Sequence, residues 1–94
     1  MNRISKSCSG SSRFIFLDDY EEERFNEFMD VVLRVLNAKE ESREFGLYSV
    51  LVVVCYEGCK LILTSGLFEG CFISMEKDVG EGVVKKIIEA LEDN

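Results

Sequence analysis

Carboxylates are the commonest chemistry-bearing groups in this chain, and they cluster. Residues 18–44 carry ten acids against four bases. The run opens with Asp18, Asp19, Tyr20, Glu21, Glu22 and Glu23. Asp18/Asp19 or Glu23/Glu27 could serve as a general acid and base. Yet each pair falls at a helix start or along a polar helix face, where solvated carboxylates are ordinary. The chain has no histidine, so Ser-His and Cys-His arrangements cannot be built. Gly80 and Gly82 open a helix but lack a phosphate-cradling motif around them. A calcium loop is disfavoured, because residues 18–23 lack alternating oxygen ligands and a glycine. The residue types therefore point away from catalysis, and no cofactor is implied.

The other reactive groups are Cys8, Cys55, Cys59 and Cys71. An even count in a short secreted chain reads as a disulfide framework. Here the aliphatic content is high and no apolar stretch follows Arg3 and Lys6, so no secretory signal is read. Cytoplasmic residence and free thiols are expected. Zinc is not expected either: Cys55 and Cys59 are loosely spaced and the other cysteines lack a close partner. Buried thiols acting as small hydrophobes suit Cys55 and Cys71.

Charge divides the chain into three parts. Residues 1–17 have a net of +3, residues 18–44 of −6 and residues 45–94 of −4, within a total of −7. Nucleic acid is an unsuitable partner for such a chain, since phosphate contacts need clustered Lys and Arg. Anionic membrane surfaces are unsuitable for the same reason, and no apolar run reaches the ~18–20 residues of a membrane span. A basic protein is the partner that the field would steer in.

These residues must be positioned by a small fold. The length fits one domain. Residues 1–12, with five serines and a glycine, read as a flexible arm in which residues 3–6 could add a short edge strand. Residues 13–94 read as a single α/β domain. Residues 13–17 are a first strand. Asp18 and Asp19 supply N-cap chemistry and Glu21–Glu23 suit the positive end of a helix dipole. Phe25, Phe28, Met29, Val32 and Leu36 form one stripe of a helix over 21–39. Glu23, Glu27, Asp30 and Arg34 take the opposite face. Residues 39–46 read as a polar exit.

Residues 47–56 are apolar on both faces and predict a central strand. Glu57-Gly58 predicts a tight hairpin turn. Strands over 60–64 and 71–76 follow, with turns at Ser65-Gly66 and Glu69-Gly70. Asp78 and Glu81 have capping-box spacing before a helix over 79–92 striped by Val83, Val84, Ile87, Ile88 and Leu91. The order is β-α-β-β-β-α, an α+β fold with two helices packed on a mainly antiparallel four-stranded sheet. One sheet face is then unexplained. Tyr48, Val50, Val52, Val54 and Tyr56, with Phe14, Phe16, Phe68 and Phe72 alongside, are too apolar for open water. A helix on each face, a homodimer or another partner would cover them.

Charge at a helix N-terminus often serves only capping and solubility. This run exceeds what capping requires, continues along the helix through Glu27 and Asp30, and contains Tyr20. Acid around an aromatic anchor suits recognition of a basic protein. In size, charge and missing catalytic residues, the chain resembles the immunity proteins of bacterial polymorphic-toxin and contact-dependent inhibition systems. That resemblance implies a cytoplasmic inhibitor that caps a basic toxin domain, commonly a nuclease. Asp18, Asp19, Tyr20, Glu22, Glu23, Glu27 and Asp30 would form the partner-binding surface. The chain is also similar to type III secretion chaperones, which are small, acidic and usually dimeric; these would use the apolar sheet face. A regulatory adaptor subunit is a third reading.

Overall fold

In the computed structural model, residues 3–46, 50–66 and 70–93 are described. The order is β1 (Ile4–Ser9), β2 (Ser12–Leu17), a short 3-10 turn (Glu22–Arg24), α1 (Phe25–Leu36), β3 (Lys39–Phe45), β4 (Val50–Tyr56), β5 (Cys59–Gly66), β6 (Gly70–Glu76) and α2 (Glu81–Glu92). The six strands form one sheet in the order β1-β2-β6-β5-β4-β3, and every neighbouring pair is antiparallel. The α+β class agrees with the expectation. The sheet has two more strands than the four expected, one at each edge.

Both extra strands lie where alternation is silent. Ile4–Ser9 falls in the segment read as a flexible arm with a short edge strand over residues 3–6; the strand is longer than that, turns at Gly10 (φ 59°) and pairs along the whole of β2. Lys39–Phe45 was expected as a polar exit and is exposed at every position. An edge strand pairs on one side only and needs no apolar face. Its charges and the bulge near Glu41 also blunt edge-to-edge association.

β2 and β3 run in the same direction on either side of three intervening strands, so the chain must return across the sheet between them. α1 does this. Its buried stripe is Phe25, Phe28, Val32 and Leu36, and that of α2 is Val84, Ile87 and Leu91. Both stripes join one core with Ile15 and Leu17 of β2, Val52 and Val54 of β4, Leu61 and Leu63 of β5, and Cys71, Ile73 and Met75 of β6. Alternation places these strand residues on one sheet face. Both helices therefore cover the same face.

Element ends depart from expectation for local reasons. Tyr20 and Glu21 are held against the sheet, because the Cys71 N–H donates to the Tyr20 carbonyl (3.0 Å) and the Cys71 thiol to the Glu21 carbonyl (3.3 Å). The chain stays extended at Glu21, and the α-helix starts at Phe25, not near residue 21. It stops at Asn37, whose left-handed backbone (φ 53°) is tolerated by a short polar side chain. Asp78 does not cap α2. The N-cap is Gly80, without a side-chain cap bond, and the Glu81 carboxylate is engaged by Arg13. The Glu57-Gly58 turn has positive φ at both residues (49° and 79°), as a two-residue type I′ hairpin requires. β5 runs on to Gly66, past the turn expected at Ser65-Gly66. Tyr48, Phe68 and Glu69 lie outside the described residues.

Candidate functional site

Two surfaces stand out: the acidic segment around α1, and the sheet face that carries no helix among the described residues.

The acidic residues do not act as one cluster. Asp18 and Asp19, expected as helix caps, instead hold β1. Asp18 accepts from the Ser5 hydroxyl at 2.9 Å, and Asp19 accepts from the Arg3 backbone N–H (3.1 Å) and Arg3 Nε (3.0 Å). These bonds, the backbone one foremost, pull the Asp19 carboxyl below its ordinary range. Arg24 donates to the Asp19 carbonyl at 3.1 Å and to Glu27 at 2.7 Å. Its guanidinium also stacks 4.7 Å from the Tyr20 ring centroid.

Tyr20 is a structural residue more than a free anchor. Its ring lies 6.2 Å from that of Phe28 and packs against the core. Glu22 and Glu23 sit in the 3-10 turn, with Glu22 partly and Glu23 fully exposed. On α1, Asn26, Glu27, Asp30 and Arg34 are exposed, so the polar stripe read from the sequence faces solvent. Within the acidic segment 18–44, ion pairs among the described residues engage Asp19, Glu27 and Glu40. Glu21, Glu22, Glu23, Asp30, Glu41 and Glu44 have none. The Glu40 carboxyl is held below its ordinary range by hydrogen bonds from Arg43.

The bare sheet face is built by the residues that alternate with the core. β2 gives Phe14 and Phe16, and β6 gives Phe72 and Ser74. β5 gives Ile62 and Thr64, and β4 gives Leu51 and Val53. The three phenylalanine rings pack together, with centroids 5.1–6.3 Å apart. Leu51 is 38% exposed, and the three rings, Val53 and Ile62 are partly exposed. This corrects the grouping read from the sequence. Val52 and Val54 belong to the helix-covered core, on the opposite face from Phe14, Phe16 and Phe72. Both faces of β2 and β4 are apolar, so pattern alone could not say which set the helices take. Leu51, Val53 and Ile62 were missed for that reason, although strict alternation from any one buried residue would have identified them.

All four thiols are free, with Cys71 buried and Cys8 exposed. Burial, and then the nearby Glu22 charge, push the Cys71 thiol up to about 11. Among the described residues no group of three or more Cys, Asp or Glu is placed to hold a metal ion. No helix among them is long and apolar enough to cross a membrane. A cleft of about 400 Å³ lies at one end of the sheet, bordered by Ser12, Lys60, Ile62, Ser74 and Glu76.

No protein-family model matches the chain, and no curated protein or solved structure matches it either.

Proposed function

We propose that this protein is a binding domain that caps a basic protein, in the manner of an immunity protein against a nuclease toxin, without chemistry of its own. One observation carries the reading. Along the 3-10 turn and the outer side of α1, Glu22, Glu23 and Asp30 face solvent, fully or in part, without an ion pair. Carboxylates left unpaired by their own chain keep their full field for a partner, and that field acts mainly on the rate of encounter. Asp18, Asp19 and Tyr20 support the surface from behind by fixing β1 and Arg24. The bare sheet face favours a second reading, a type III-like secretion chaperone whose client lies on that face.

The test is stopped-flow association with the product of the neighbouring open reading frame, at several salt concentrations. Reversal of Glu23 and Asp30 to lysine should lower the association rate about tenfold at low salt and flatten its salt dependence. The same reversal of Glu89 and Glu92 on α2 should change little. Unchanged association in the first variant rejects the acidic surface. For the chaperone reading the informative variant is Val53→Asp. Val52→Asp would disrupt the core beneath the helices and report folding instead.

A further inference from the structure

The bare face has two chemically different halves. Phe14, Phe16 and Phe72 lie on β2 and β6; Leu51, Val53 and Ile62 lie on β4 and β5. Aromatic groups dominate one half, with Ser74 among them, and aliphatic ones the other, with Thr64 among them. The boundary runs between β6 and β5, the middle of the six-strand order. Near one end of that boundary, Lys60 and Glu76 stand side by side. The β5–β6 register pairs Ile62 with Ser74, and two residues further on it brings these opposite charges level. Both are exposed.

We infer that this face is the interface of a symmetric homodimer, with its two-fold axis parallel to the strands and between β5 and β6. A rotation about that axis keeps each residue at its level along the strands and exchanges β6 with β5, β2 with β4, and β1 with β3. The registers then dictate the contacts. Phe14 is level with Val53 and Phe16 with Leu51, so these two rings of one copy meet aliphatic side chains of the other; Phe72 meets Thr64, and Ser74 meets Ile62. Lys60 meets Glu76, twice, across the axis. An isologous interface must satisfy itself in this way: residue i contacts j and j contacts i. Sheets packed face to face stand about 10 Å apart, a gap that a phenylalanine opposite a valine or leucine can fill.

Local charge admits a second copy as the occupant, because the exchange of Lys60 and Glu76 across the axis is self-complementary. Each chain carries −7, so two copies meet only through a region that lacks net negative charge. The middle of this face holds one acid and one base, and α1 lies on the other side of the sheet. Six strands at ~4.8 Å spacing and ~20 Å of strand length give a face of roughly 500 Å² in plan. In plan this is smaller than the ~800 Å² of accessible surface per partner in a standard interface, which suits a weak, concentration-dependent dimer. The dimer would present its two acidic α1 surfaces outward, on opposite sides, and so would be bivalent.

Sedimentation velocity tests this without any partner, so its outcome is separate from that of the binding reading. The full-length chain, 10.7 kDa as a monomer, should sediment at twice that mass at ~100 μM and low salt, well above a micromolar dissociation constant. Lys60→Glu places four acids at the axis and Glu76→Lys places four bases there. Each variant alone should dimerise at least about tenfold more weakly. Mixed in equal amounts, the two should recover a heterodimer, because every contact across the axis is again between opposite charges. Circular dichroism should show both variants folded. A wild-type chain that stays monomeric at ~100 μM overturns the proposal. So does a mixture of the two variants no more associated than either alone.

Discussion

Gly70 should tolerate alanine far less well than Gly58, although both have positive φ (73° and 79°). At Gly58 an added Cβ meets nothing within 4 Å. Alanine there incurs only left-handed backbone strain, about 1–2 kcal/mol, partly offset by about 0.4–1 kcal/mol from the stiffer unfolded chain. At Gly70 the Cβ would lie 2.8 Å from the Tyr20 carbonyl oxygen. That oxygen is backbone and already accepts from the Cys71 N–H at 3.0 Å. It can give way only by lengthening this bond, and a buried donor left unsatisfied costs about 1–3 kcal/mol. Gly70→Ala should therefore destabilise by about 2–4 kcal/mol and Gly58→Ala by about 1 kcal/mol. In a domain of this size the gap is a further loss of roughly 5–15 °C in melting temperature. Urea and thermal melts of the two variants measure it. Amide exchange at Cys71 should quicken in Gly70→Ala alone, relative to global stability. Equal destabilisation of the two variants would refute the argument, because it would mean that the Tyr20 carbonyl does not fix the start of the acidic segment.

Two further outcomes follow from the core. The raised Cys71 pKa means that the folded state holds its thiol proton when the unfolded chain has lost it. Stability is thus fully present below the ordinary value of 9.0 and is lost as pH rises towards about 11. Urea melts from pH 8 to 10.5 should show a downward slope that Cys71→Ala reduces. Phe28 is 0% exposed and its ring packs near those of Tyr20 and Phe25, so Phe28→Ala should cost about 3–5 kcal/mol. A loss under 1 kcal/mol in a denaturant melt would show that the α1 stripe does not seat as described.

Residues with a periodic apolar signal are legible from their spacing alone. The α1 stripe through Phe25, Phe28, Val32 and Leu36 is the one observed, and so is the α2 stripe through Val84, Ile87 and Leu91. The Glu57-Gly58 hairpin is legible as well, because its geometry selects residues that accept positive φ. The solvent-facing stripe of Glu27, Asp30 and Arg34 follows from the same helical period, while Glu23, read as part of it, lies in the 3-10 turn before α1. Of the edge strands, β3 is not legible and β1 is legible only as a short strand over residues 3–6. β1 and β3 are held by backbone pairing and by contacts to residues distant in sequence, such as Arg3 to Asp19 across 16 positions. Neither needs an apolar face. The role of Asp18 and Asp19 is hidden for a related reason. An aspartate before a helix looks like a cap, but here Cys71, fifty positions beyond Glu21, pins the chain extended and frees both carboxylates for β1.

Local features are readable in the residues: the two helical stripes, the Glu57-Gly58 turn, and the negative charge gathered in residues 18–44. These depend on spacing and on backbone conformation within a few residues. The tertiary structure alone decided which sides meet. β2 and β4 are apolar on both faces, so their own pattern is degenerate. The long return from β2 to β3 sends α1 over the Ile15, Val52 and Leu61 side, and α2 packs beside it. That single choice buries Val52 and Val54 and leaves Phe14, Phe16, Phe72, Leu51 and Val53 on the open face. No residue encodes it alone, because it arises from the packing of two helices against four strands at once.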